Sequence, residues 1–106
     1  MIKEFEPSEF IATIIAERSN VLKNNSIGTL SFNRLFAIKH RVEKINPFIR
    51  IRINSESILS FCSYLNIECK DKKIKIKKMS ESDIARLKQY MPIDKKIIQD
   101  FISANY

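Results

Sequence analysis

Apolar residues recur at helical spacing in the first half of the chain and predict two long helices there. One pattern covers residues 7–24, and a second covers residues 31–45, with Ile45 as the last residue of its apolar arc. Ser31 is a suitable N-cap for the second helix, and Pro47 ends it because the residue before proline disfavours helical dihedral angles. Arg18 falls within the apolar stripe of the first helix. We interpret it as a side chain whose stem packs while its head reaches water, with a contact to a partner as the alternative.

Alternation of isoleucine with basic residues predicts three strands in the middle of the chain. Residues 48–54 place isoleucines on one side and Arg50 and Arg52 on the other. Residues 67–78 contain two similar arms around a turn near residues 70–72, which predicts a β-hairpin. We expect the three strands to form one small, mostly antiparallel sheet with the isoleucines turned inward.

Three shorter helices complete the predicted fold. One covers residues 55–66 and is capped by Asn54 or Ser55. A second follows Ser80, whose spacing from Asp83 is that of a capping box, and the last is capped by Asp94. The predicted order is therefore α-α-β-α-β-β-α-α. It describes an α+β protein with helices on one face of a three-stranded sheet, in a single basic domain over residues 1–106.

Composition supports a folded protein of one domain. The chain has 106 residues, of which 44% are hydrophobic, and only one glycine and three prolines. It contains no apolar run of membrane-spanning length and no signal peptide at the N-terminus, so we expect a cytoplasmic protein without membrane contact. Cys62 and Cys69 are then expected to be reduced thiols. The abundance of Ile, Lys and Asn is typical of AT-rich genomes, including those of phages and plasmids.

No catalytic, metal-binding or cofactor-binding motif is visible in the sequence. Glycine-rich phosphate loops need several glycines, and only Gly28 is present. His40, Cys62 and Cys69 are the three candidate zinc ligands, and their spacing matches no common zinc site. The acidic residues lie mostly at predicted helix starts, where they favour the helix dipole. We therefore expect no enzyme activity, no cofactor and no metal.

Positive charge is concentrated in the middle of the chain. The formal net charge is +7, and residues 31–78 hold twelve Lys or Arg against four Asp or Glu. The outer arc of the second helix and the outward positions of the predicted strands carry these cations without nearby acids. The candidate binding residues are Arg34, Arg41 and Lys44 on the helix, Arg50 and Arg52 on the first strand, and Lys70, Lys72, Lys73, Lys75, Lys77 and Lys78 in the hairpin.

A basic surface of this kind favours a polyanionic partner. We expect a small accessory or regulatory protein that binds nucleic acid through phosphate contacts. Duplex DNA is favoured over single strands because Phe32, Phe36, Phe48 and Phe61 mostly map to inward positions and form no stacking platform. The alternative is a protein-binding module, such as an inhibitor, anti-defence or adaptor protein, that docks on an acidic protein surface. The apolar helix faces could also support a homodimer. Lysines on an exposed strand can also simply prevent edge-to-edge aggregation.

Overall fold

The computed structural model describes the backbone of residues 1–105 and the side chains of residues 1–102, and the chain is an α+β protein. In chain order the elements of this described part are β1 (Lys3–Phe5), α1 (Pro7–Asn20), β2 (Ile27–Ser31), α2 (Phe32–Ile45), β3 (Ile49–Ile51), α3 (Ser55–Tyr64), β4 (Cys69–Lys70), β5 (Lys73–Lys77), α4 (Glu81–Lys88) and α5 (Lys96–Asn105). The prediction of an α+β fold is confirmed, and β1 and β2 are strands that the sequence pattern did not indicate.

Helix α1 forms the centre of the molecule. All its residues from 10 to 16 are buried, and they include the polar Thr13, whose hydroxyl donates to the carbonyl of Glu9 at 2.7 Å. The helix packs against α3, α4, α5 and β5. It ends at Asn20, one turn earlier than predicted. One cluster of buried side chains unites the helices, and the radius of gyration of 13.0 Å is that of one compact domain of this length (about 13 Å).

The five strands form two separate sheets. Three of them form an antiparallel sheet in the order β2-β5-β4, while β1 and β3 form a parallel pair. The expectation that β3 joins the hairpin in one sheet is therefore wrong, because the third strand of the hairpin sheet is β2, which lies beside β5. Periodicity could not indicate this pairing, since it depends on segments that are more than 40 residues apart along the chain.

The antiparallel sheet has one buried face and one exposed face. On the buried face, Ile74 and Ile76 of β5 lie beside Leu30 and Gly28 of β2, with exposed fractions of 0% and 1% for the two isoleucines. Successive side chains of a strand point to opposite faces, so the lysines between these isoleucines face solvent. The predicted inward and outward sets of the hairpin are thus confirmed.

Helix caps agree with the sequence at three of four predicted positions. Ser31, Asn54 and Ser80 are the N-caps of α2, α3 and α4, and each side chain accepts a hydrogen bond from the backbone N–H three residues later. The predicted cap at Asp94 is wrong. Helix α5 begins at Lys96, and the carboxylate of Asp94 instead forms an ion pair with Lys3 of β1.

Candidate functional site

The exposed face of the antiparallel sheet carries a row of lysines. Strand β5 places three of them at alternate positions, and β4 adds a fourth, paired opposite the first. Alternate residues of an antiparallel strand are about 7 Å apart, so the three β5 ammonium groups extend over roughly 14 Å. We call this surface the lysine face, and its residues are Lys70, Lys73, Lys75 and Lys77.

One acidic residue interrupts this face among the positions that the structure describes. Glu68, which precedes β4, lies 3.5 Å from the ammonium group of Lys75. Both side chains are about half exposed, so this ion pair contributes about 0–1 kcal/mol and leaves most of the positive potential in place. The β2 residues opposite the lysines are Ile27, Thr29 and Ser31, which add no charge.

A tight turn joins the two lysine strands. Asp71 and Lys72 have φ angles of 55° and 57°, the left-handed geometry of a type I′ hairpin turn, where Asn-Gly is the preferred pair. A lysine in this conformation costs about 1–2 kcal/mol. The Lys72 carbonyl accepts a 2.9 Å hydrogen bond from the backbone N–H of Phe32, which holds the turn beside the first turn of α2. Arg34, in that first turn, thereby lies next to the lysine face.

The opposite end of β5 adds more cations. The ammonium group of Lys78 contacts the carbonyl of Asn20 at 3.4 Å, at the C-terminal end of α1. Arg86 of α4 lines the same depression as Lys77 and Lys78, together with Asp83. The sequence did not indicate Arg86, because helical periodicity shows which side of α4 is polar but not which strand that side approaches.

The arginines of β3 lie on the other sheet and are mixed with acids. Arg50 pairs in register with Glu4 of the parallel strand β1, and the guanidinium of Arg52 lies 3.8 Å from the carboxylate of Glu6. Arg50 also donates to the carbonyls of Pro47 and Ile49. The predicted common surface of these arginines with the hairpin lysines is therefore wrong.

The predicted cations of α2 are divided along the helix. Arg34 is near its start, whereas Arg41 and Lys44 follow seven and ten residues later and are thus displaced by about 10 and 15 Å along the helix axis. All three side chains are exposed. The structure therefore brings together Arg34, Lys70, Lys72, Lys73, Lys75, Lys77 and Lys78, and places Arg41 and Lys44 at the end of α2 that precedes β3.

Glu43 caps the open edge of β3. Its carboxylate accepts hydrogen bonds from the backbone N–H of Ile51 at 2.8 Å and from the ammonium group of Lys39 at 2.9 Å. Burial alone would raise the pKa of Glu43, but these two partners hold it below its ordinary value. The acid therefore stabilises β3, and it also reduces the positive potential around Arg50.

Two predicted inward positions are exposed at the junction of α2 and β3. Phe48 is 62% exposed and Ile45 is 72% exposed, although the helical pattern placed Ile45 in the buried arc. The apolar arc of α2 extends beyond the core at this end of the helix. Phe32 and Phe61 are buried, as predicted.

The two cysteines are buried or half-buried free thiols. Burial raises the pKa of the Cys62 thiol to about 12, with a smaller contribution from Cys69, and burial also raises the pKa of Cys69. Neither thiol is a ready nucleophile near neutral pH. Within the described residues, no three His, Cys, Asp or Glu side chains are grouped as metal ligands.

None of the helices in the described part of the chain combines the length and hydropathy needed to cross a membrane. Comparison of the chain with models of protein families gives no match, and comparisons with curated proteins and with solved structures give none either. The lysine face and the cations around it are therefore the basis for a functional assignment.

Proposed function

We propose that this protein binds nucleic acid through the lysine face, as a small cytoplasmic accessory or regulatory protein. The observation that carries the proposal is the row of three exposed lysines on β5, held in line by the buried Ile74 and Ile76. Lysines that replace phosphate counterions supply most of the affinity of non-specific nucleic-acid binding. A rigid strand holds them at a regular spacing, which lowers the entropy lost on binding.

The composition of the face favours duplex backbone over single strands. Its exposed positions in the described strands are lysine, threonine, serine, isoleucine and glutamate, so the face offers no aromatic ring for stacking on unpaired bases. Lysine acts as a point charge, whereas bidentate recognition of base edges is typical of Arg, Asn and Gln. We therefore propose contacts to phosphates with little dependence on base sequence.

Fluorescence anisotropy with a labelled 20-bp DNA duplex tests this function. The variant K73Q/K75Q/K77Q removes three cations from one strand and keeps the polar surface. If each lysine contacts one phosphate, the slope of log K against log salt becomes shallower by about 2.7. When the salt concentration rises from 50 to 200 mM, the affinity of the wild type should then fall by a factor about 40 times larger than the factor for the variant.

A matched variant controls for net charge. K88Q/K95Q/K96Q also removes three lysines, but from α4, α5 and the loop between them, outside the antiparallel sheet. We expect its salt slope to match the wild type. Absence of duplex binding by the wild type at 50 mM salt, or equal losses in both triple variants, would contradict the proposal.

A different observation favours docking on an acidic protein as the second candidate. Phe48 and Ile45 are both exposed, and the exposed cations Lys44 and Arg50 are near them along the chain. Exposed apolar groups with cations around them are typical of a protein-binding surface. Here Phe48→Ser should abolish binding of a purified acidic partner without changing duplex binding. The K73Q/K75Q/K77Q variant should bind the duplex more weakly and bind the acidic partner as the wild type does. Light scattering of the wild type would show whether a second copy of the chain occupies this surface.

A further inference from the structure

Tyr64, the last residue of α3, is an exposed aromatic side chain that the core holds in place. The residue is 72% exposed. Its ring contacts the ring of Tyr90 edge to face, with centroids 6.1 Å apart, and the two side chains form a hydrogen bond. Tyr90 in turn contacts the buried Phe61 edge to face, with centroids 5.5 Å apart. Tyr64 is thus anchored to the core through Tyr90, which lowers the entropy lost when it binds a ligand.

The geometry of this tyrosine pair leaves a flat aromatic surface open. In an edge-to-face contact one ring meets the other with its edge, so Tyr90 covers at most one face of the Tyr64 ring. The large exposed fraction of Tyr64 agrees with this arrangement. An open aromatic face binds other π-systems by stacking, and every nucleobase has such a face. Tyr64 therefore offers the stacking surface that the lysine face lacks.

Arg86 of α4 links the tyrosine pair to the cations of the hairpin. The hydrogen bond with Tyr64 raises the pKa of Tyr90, burial adds to this shift, and the positive charge of Arg86 opposes it. The guanidinium thus lies close to the Tyr90 side chain. Arg86 also lines the depression between the hairpin and α4, and so does Leu65, which follows Tyr64 directly in the chain. The exposed ring and this depression are therefore neighbours, and we call the latter the α4 depression.

The α4 depression has a net positive charge. Its charged lining residues in the described chain are Glu68, Lys75, Lys77, Lys78, Asp83 and Arg86. Glu68 is paired with Lys75 at 3.5 Å, and Asp83 lies in the first turn of α4, where the helix dipole stabilises a carboxylate. Neither Lys77 nor Arg86 forms an ion pair with another described residue. A phosphate group at this place therefore meets two cations whose charge is not already paired.

We propose that Tyr64 stacks on an unpaired base of the bound nucleic acid, while Lys77 and Arg86 contact the adjoining phosphates. This inference rests on the proposed function, and it specifies the partner as a duplex with a single-stranded segment beside it. Consecutive phosphates of a stacked strand are about 3.4 Å apart along the axis, so the step from the α4 depression to Tyr64 covers only a few nucleotides. The lysine face then holds the duplex, and Tyr64 holds the first unpaired bases.

Fluorescence anisotropy with blunt and extended DNA tests this inference. The blunt DNA is the 20-bp duplex, and the extended DNAs carry four unpaired thymidines at either the 3′ or the 5′ end. The wild type should bind one of the extended DNAs about 5- to 150-fold more tightly than the blunt one, the range that stacking of a base on an aromatic side chain supplies. Tyr64→Ala should remove this preference and leave the affinity for the blunt duplex unchanged.

The salt dependence separates stacking from phosphate contacts. Stacking releases no counterions, so Tyr64→Ala should keep the salt slope of the wild type on the extended DNA. Arg86→Gln should make that slope shallower by about 0.7, the value for one phosphate of a single strand. Lys88→Gln is the matched control and should leave the slope unchanged, because Lys88 lies two positions further along α4 and thus on another side of the helix.

Two further variants separate the role of the ring from effects on folding. Tyr64→Phe keeps the ring and should retain most of the preference for extended DNA. Phe48→Ala removes another exposed aromatic side chain, at the junction of α2 and β3, and should not change the preference. Equal binding of blunt and extended DNA by the wild type, or a preference that survives Tyr64→Ala, overturns the inference, leaves the lysine-face function intact and leaves contact with a protein as the alternative for Tyr64. If the wild type binds none of these DNAs, the proposed function fails together with this inference.

Discussion

Ser19 should be one of the most sensitive polar positions in the protein. It lies in the last turn of α1 and is only 1% exposed. Its hydroxyl donates to the carbonyl of Lys77 at 3.2 Å and accepts from the backbone N–H of Met79 at 2.9 Å. This side chain thus joins the central helix to the end of the strand that carries the lysine face.

The cost of Ser19→Ala follows from these two hydrogen bonds. Each contributes about 1 kcal/mol net, so their loss should reduce the free energy of unfolding by about 2 kcal/mol. Alanine is the better helix former and recovers up to about 0.5 kcal/mol. Ser63→Ala is the matched control, since Ser63 is exposed on α3 and shares this gain in helix propensity.

Urea unfolding followed by circular dichroism measures the difference. For a domain of this size, a loss of 2 kcal/mol shifts the midpoint by about 1–2 M urea and the melting temperature by about 8–16 °C. We expect this shift for Ser19→Ala relative to Ser63→Ala. If the two variants unfold within 0.5 kcal/mol of each other, the hydroxyl of Ser19 does not hold α1 to β5 and the reasoning is refuted.

Two further substitutions test local features of the fold. Lys72→Gly should raise the free energy of unfolding by about 1 kcal/mol, because glycine adopts the positive φ of the turn without the strain that lysine carries. A melting temperature that is unchanged or lower would contradict this prediction. Glu43→Gln should cost about 1 kcal/mol near neutral pH. The folded state holds the pKa of Glu43 below its ordinary value. The stabilisation by the ionised carboxylate is therefore complete above the pKa that glutamate has in the unfolded chain, about 4.3. It is lost as pH falls through the lower pKa of the folded state. Urea unfolding of wild type and variant at pH 7 and pH 3 should show the gap closing at the lower pH, and a constant gap would refute the assignment.

Local sequence signals account for the helices of this protein, because caps and apolar spacing act within one or two turns. Ser31, Asn54 and Ser80 are N-caps as expected, and the apolar stripes coincide with the buried sides of the helices over most of their length. The predictions of buried positions fail where the chain extends beyond the core. Ile45 and Phe48 have apolar side chains at positions predicted to face inward, but both remain exposed in the part of the chain that the structure describes.

The composition of the candidate site could be predicted only in part. The alternation along β5 is local, so its exposed lysines followed from the sequence. Their partners did not, because β2 has a weak pattern in which Gly28 lies between Ile27 and Thr29, and its pairing with β5 is a contact across more than 40 residues. For the same reason Arg18 and Arg86 were not associated with the hairpin.

The sequence by itself determined the α+β class, the starts of the first four helices and the division of the hairpin into an apolar and a cationic side. Those features depend on periodicity and on contacts between near neighbours in the chain. The tertiary structure alone decided that β3 pairs with β1, that its arginines lie among acids, and that Arg18, Arg34 and Lys73 line one depression beside β2. Strand pairing and the meeting of distant side chains arise from packing around the shared core, which no local pattern specifies.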